Sequence, residues 1–406
     1  MLWVLLYHSW FLESDTMLRR VLYTIPNLGL VGVEYFFVMS GFLITCILLR
    51  YRSSPWCLRG FYGRRILRTL PLYFGFLLVI FHLIPMFPEI KAVLYQFDDP
   101  LAFRQGQLWH WLFLSNIWYA SRDAFGVWYL SPTWSLAIEE QFYLVWPVTL
   151  LALGRVGGAR ACVAALVVSV MVRTAMVLAG ETPLAVYVFT FGRLDGIAVG
   201  CLLGCLAMGP RGLDWMQRAR RWMGWPGAAL FLFAVLWTIV MQPIDDHPWK
   251  LGTRFLINPV FLTVGMLGVA LWSGGIVAYM TVGEEAGLSR RWMRNPVLCF
   301  FAKHSYAMYL VHTPAYHVVA LLFQRFVFPW RERALGWPVP SPDTYGWLVF
   351  NQVEILAATL ALSTAISVAS HHLLEKHFLK LKDSFPYAQE GDRGGEKPPR
   401  LGEPAT

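Results

Sequence analysis

Two adjacent carboxylates, Glu139 and Glu140, interrupt an otherwise apolar run from Pro132 to Pro147. Acidic side chains near hydrocarbon face a bundle interior or a wet cavity and mark chemistry or transport. Successive helical positions diverge by about 100°, so one of the two is expected to face a cavity. A second chemical group is the imidazole of His8, set in the apolar run 2–11. Its near-neutral titration suits it to take a proton from a hydroxyl, as acyl transfer to an alcohol requires. Read alone, it is more readily a core histidine with its hydrogen bonds satisfied. One carboxylate of the pair could orient that imidazole, stabilise the imidazolium, or accept a hydrogen bond from an acceptor hydroxyl.

Other charged groups sit where charge is costly. Arg64, Arg65 and Arg68 open a helix, with Arg64 and Arg68 on one side of it. They either anchor that helix to anionic lipid or clamp the phosphates of an acyl donor. Arg193 and Asp195 read as a buried pair that neutralises itself and holds helices together, with direct catalysis as the other reading. Glu34, at the end of an apolar run, contacts an acceptor hydroxyl or is simply solvated at the interface. Tyr309 and His312 share a helical face and supply either polar contacts to the site or an interhelical hydrogen bond. Cys201 and Cys205 lie one turn apart, but four ligands at metal spacing are missing, so packing is the expected role and no metal site is expected.

The elements that must position these groups are membrane helices. Of the 406 residues, 57% are hydrophobic and only 15% charged, against roughly 25% charged in soluble domains. Apolar runs predict an all-α, polytopic bundle of about ten spans near 1–12, 30–49, 70–88, 134–153, 161–179, 186–208, 226–242, 255–275, 298–323 and 347–370. The net charge of +9 follows topology and does not indicate nucleic acid. With both termini cytoplasmic, the arginine-rich loop 50–68 and the basic tail fall inside, as the positive-inside rule requires. No cysteine then lies in an outside loop, and no disulfide is expected. The longest outside loop, 88–132, is rich in Trp and Tyr, and 108–120 is too short to span. It reads as an interfacial or re-entrant helix, forming an aromatic belt or a lid over an acceptor. Residues 1–380 are assigned to the membrane domain and 381–406 to a disordered cytoplasmic tail.

Six blocks, in order along 1–380, resemble the integral-membrane acyltransferase-3 family of bacterial enzymes that O-acylate sugars and envelope molecules. Residues 134–147 are similar to its WSLAVEEQFYLLWP signature, 32–45 to GVDLFFVLSGFLIT, and 61–73 to FYLRRxxRIxPLYY. Residues 193–200 resemble an RLDALALG-type helix start, 305–314 resemble SYSLYLWHxP, and 375–379 resemble EKPFL. The resemblance implies an O-acyltransferase in the bacterial inner membrane, with acyl-CoA as donor, no bound cofactor and a carbohydrate or other envelope acceptor. It also implies that His8 is catalytic and that at least one of Arg64, Arg65 and Arg68 holds donor phosphate. The family's first helix carries an arginine ten residues before its histidine, which here would precede Met1, so about 10–20 further residues are expected upstream. A polytopic transporter or flippase, or an inactive relative lacking that arginine, are the competing readings.

Overall fold

A backbone in hydrocarbon must close its own hydrogen bonds, and among the described residues every regular element is helical. The structure, a computed structural model, describes residues 2–9, 26–87, 100–126, 128–241, 255, 258–282, 294–336 and 345–388. In chain order the principal helices are α1 (Leu2–Ser9), α2 (Gly32–Arg50), α3 (Cys57–Leu78), α4 (Pro100–Trp111), α5 (Ser115–Arg122), α6 (Thr133–Leu178) and α7 (Pro183–Val188). They continue as α8 (Leu194–Ala207), α9 (Gly212–Met241), α10 (Met266–Val282), α11 (Pro296–Leu322), α12 (Phe328–Leu335), α13 (Tyr345–Ser370) and α14 (Lys376–Lys380).

Seven helical stretches among the described residues are long and apolar enough to cross a membrane. They contain eight of the ten expected spans, because 134–153 and 161–179 both fall within the 46 residues of α6. A straight helix of that length would reach about 69 Å, more than twice the hydrocarbon thickness. Gly154 breaks it with φ 66° and ψ −177°, a conformation open to glycine and closed to most side chains. The other two expected spans are helical but outside the seven: 298–323 corresponds to α11, which carries three His, three Tyr and one Lys, and 1–12 is described only as the eight residues of α1. The molecule is thus a multi-pass helical membrane bundle.

At its centre, α8 packs against α2, α6 and α10, with Gly196, Gly200 and Gly204 on a close-packed face. Small residues are what let helices approach in lipid, where no hydrophobic drive separates lipid from leucine. Around it, α9 packs on α10, α11 packs on α13, and α1 lies against α11 and α13. The outer face of α6 leaves Leu144, Val145, Val148, Val163 and Met171 exposed for lipid to cover. The expected interfacial helix at 108–120 is instead two short ones, α4 and α5, separated by a turn in which Phe113 takes φ 54°. Of the expected tail, 389–406 lies outside the described residues. Residues 381–388 fold back onto the start of α3.

Candidate functional site

The last turn of α1 carries His8, half-buried against α11, which presents Tyr309, His312, Thr313 and His317 in two turns. The His8 and His312 rings meet edge to face with centroids 5.0 Å apart. His312 is fully buried and its Nδ1 lies 2.7 Å from the Tyr309 carbonyl. A carbonyl only accepts, so Nδ1 carries the proton; in the neutral ring Nε2 is then left to accept from the Thr313 hydroxyl at 3.2 Å. One turn earlier, the Tyr309 hydroxyl meets Ser135 Oγ of α6 at 2.6 Å. That is the interhelical hydrogen bond named above as one role for Tyr309, whereas the hydrogen bonds of His312 stay within α11. His317 hydrogen-bonds the Thr313 carbonyl at 3.0 Å and lies edge-on to Tyr129.

Beside this row lie four fully buried charges. Glu34 pairs with Arg193 at 2.7 Å, and Asp195 pairs with Arg173 at 2.8 Å. Arg193 and Asp195 therefore take separate ion-pair partners, because side chains two apart on a helical start do not face one another, although each still feels the other's charge. Glu34 is not solvated at an interface either. The Arg193 guanidinium is ringed by Tyr187, Trp134 and Phe37, with centroids at 4.9, 5.5 and 5.7 Å, so aromatic faces complete its coordination. Arg173 donates to the Gly192 carbonyl at 2.7 Å, tying α6 to the approach to α8. Arg173 is not among the candidates above, yet a cation in the middle of the apolar 161–179 run is itself a signal that a buried anion must answer it.

A third cluster forms around Arg65. Its guanidinium lies 3.5 Å over the Tyr143 ring and in electrostatic contact with both Glu139 and Glu140. Glu139 lies beside the Tyr143 hydroxyl, which meets Ser40 Oγ at 2.6 Å. Glu140 is within hydrogen-bonding reach of the Thr69 hydroxyl, which also reaches the Arg65 carbonyl at 3.1 Å. Both carboxylates thus address one cation despite their 100° divergence, because the long arginine comes to them from the facing helix. Tyr309 joins the three clusters, feeling Tyr187, Glu139 and Arg193 at once. Arg64 reaches instead to residues 381–388, and Arg68 lies between the two, within the influence of both Glu139 and Lys382.

The aromatic hairpin is fastened to the same helix start. Buried His110 of α4 holds the Gly106 carbonyl through Nδ1 at 2.7 Å and the Tyr119 hydroxyl through Nε2 at 2.8 Å. Burial pushes this imidazole down to about 4, so it stays neutral and keeps that donor–acceptor pattern at physiological pH. Gln141, next to Glu140, donates to the Phe113 carbonyl at 2.8 Å and to Asn116 at 3.0 Å, and accepts from Thr190 at 2.8 Å. Trp109 and Trp118 stack with centroids 5.8 Å apart. Among the described residues no three His, Cys, Asp or Glu side chains converge as a metal site, and all six cysteines are free thiols.

A family model described as an acyltransferase domain matches residues 1–371. The chain is 27% identical over 298 residues to the O-acetyltransferase OatA of Staphylococcus aureus, covering 70% of this chain and 46% of the relative. It is 29% identical over 298 residues to the peptidoglycan O-acetyltransferase OatA of Listeria monocytogenes, covering 70% of this chain and 44% of that one. A Bacillus subtilis relative, YrhL, is 34% identical over 194 residues, 44% of this chain and 29% of its own. The chain spans about half the length of the OatA relatives it matches. No solved structure matches it.

Proposed function

The chain belongs to the acyltransferase-domain family, and from that premise we propose that it is a membrane O-acyltransferase carrying an acyl group, acetyl first among them, from acyl-CoA to a hydroxyl of an envelope carbohydrate. The observation that carries this reading is the meeting of His8 and His312, more than 300 residues apart in sequence, beside the Tyr309–Ser135 hydroxyl pair. His8 is the base. It takes the proton of the acceptor hydroxyl as that oxygen attacks the thioester carbonyl; the carbon–sulfur bond then breaks and the departing thiolate receives the proton from the imidazolium. His312 positions the His8 ring, and Tyr309 or Ser135 hydrogen-bonds the carbonyl oxygen as it gains charge. Glu139 and Glu140 act through Arg65. The Glu34–Arg193 and Asp195–Arg173 pairs hold α2, α6 and α8 in register around the site. The names of the OatA relatives make peptidoglycan the first acceptor to try.

The test is a donor and acceptor screen on the full chain in lipid nanodiscs with radiolabelled acetyl-CoA. Base-labile label on a glycan is the expected result. A folded protein that leaves every acceptor unlabelled yet moves glycan across vesicles would replace the enzyme with a transporter.

Orientation is part of the same reading, since the basic loops place both termini in the cytoplasm of a bacterial inner membrane. Single thiols introduced by Arg59→Cys and Arg122→Cys in a cysteine-free background should label from opposite sides, Arg59→Cys from the cytoplasm. The reverse pattern would invert the bundle and move the donor to the other face.

A further inference from the structure

Residues 381–388 make a hook whose placement is encoded by shape. The Phe385 ring fills the space beside Gly63 of α3, where any Cβ would overlap it. The Phe385 carbonyl accepts from Arg64 Nε at 2.7 Å. Tyr387 stacks flat on Tyr51, 4.8 Å between centroids and 9° between planes, and carries the Arg64 guanidinium 5.1 Å above its ring. These contacts bring Lys382 into electrostatic reach of Arg68, Arg64 and Arg65.

Arg65 is answered by Glu139 and Glu140. Arg64, Arg68 and Lys382 make no ion pair with a carboxylate among the described residues, and of the three Arg68 alone lies within the electrostatic influence of Glu139. Like charges crowded at a bundle end repel unless an anion lies among them. A guanidinium fork beside an ammonium fits a phosphate better than a lone carboxylate, since both donor types recur wherever phosphate is bound. We propose that Lys382, delivered by the hook, completes with Arg64 and Arg68 a site for a phosphate-bearing ligand. The donor's phosphates are the first source, which rests on the acyl-transfer reading above; an anionic lipid headgroup carries the same chemistry. Lys382 lies more than 300 residues from the arginines, so the C-terminal segment becomes one wall of the donor site.

The experiment uses the full chain in nanodiscs. Coenzyme A affinity is measured in phosphatidylcholine discs, and thermal unfolding is compared between phosphatidylcholine and phosphatidylglycerol discs. Lys382→Ala is expected to weaken coenzyme A binding by roughly tenfold, the size of one lost charge-assisted contact. Lys382→Arg should restore it, and Phe385→Ala, which releases the hook, should copy the loss. If coenzyme A affinity is unchanged by Lys382→Ala, or absent already in the wild type, while phosphatidylglycerol stabilises the wild type and not Lys382→Ala, the source is the headgroup and the donor assignment falls. Neither response depending on Lys382 overturns the site. A chain that acetylates glycan yet shows neither response loses this site alone and keeps its activity.

Discussion

His8→Ala is expected to lower acyl transfer by roughly 10²–10⁴-fold, the usual contribution of a general base, while the protein still inserts and unfolds at a near-normal temperature. The separation of activity from stability is what makes the result decisive. His8 is half-buried, with its ring edge-on to Tyr7 and His312, and the unfolding temperature of the variant separates a lost base from lost packing. Glu139→Gln and Glu140→Gln should differ in the same product assay. Glu139 is the carboxylate nearest in influence to Tyr309, whereas Glu140 is tied to Thr69 of α3. Glu139→Gln is therefore expected to lower kcat the more, with KM for acetyl-CoA little changed. Near-normal transfer by His8→Ala would return that histidine to the core and leave the base unidentified. Equal, mild effects of the two glutamine changes would make the pair a structural anchor.

The second large effect falls on stability. Removing one partner of a buried ion pair leaves the other charge uncompensated, at a cost of about 3–5 kcal/mol. The two halves of the Glu34–Arg193 pair should not be equivalent. A stranded carboxylate can take up a proton, but a guanidinium cannot release one. Glu34→Leu should thus lower the unfolding temperature in detergent more than Arg193→Leu does, although the aromatic ring of Phe37, Trp134 and Tyr187 offsets part of the difference. The double change to leucine should recover much of the loss, since neither charge is then left alone. Losses in the reverse order would mean that Arg193 is held mainly by its aromatic cage and by the nearby Asp195, and an unrecovered double change would mean that Glu34 touches more than Arg193. Gly196→Ala offers an independent check, because the new methyl would overlap the Glu34 carboxylate and should also destabilise the pair.

Much of this was legible along the chain. The apolar runs located the helices of the bundle, because a backbone in lipid must satisfy itself and hydrophobic length is then the dominant local constraint. Gly154 was harder to read, since a glycine between two apolar runs marks a loop and a sharp break within continuous helix equally well. His8, Tyr309 and His312 stood out as polar groups in apolar surroundings, yet nothing local said that His8 would meet His312. Arg193 and Asp195 looked like partners from their proximity in sequence, and the fold gave each a different one.

That division has a physical origin. A residue type states what its side chain can donate, accept or neutralise, and helical periodicity states which neighbours on the same helix share its face. Which helix lies opposite depends on the sum of many small packing contacts, such as the close approach of α8 to α2 through glycine, and on the loops that carry the chain across. So the cost of Arg193 and Asp195 in hydrocarbon could be read from position alone, whereas Glu34, at the end of its apolar run, read equally well as an interfacial group, and the need of Arg173 for an anion emerged only with its partner. The identity of each partner, the sharing of Arg65 by two carboxylates, and the return of Lys382 to the arginines of α3 required the bundle to be assembled, because a contact between distant segments leaves no pattern in either one.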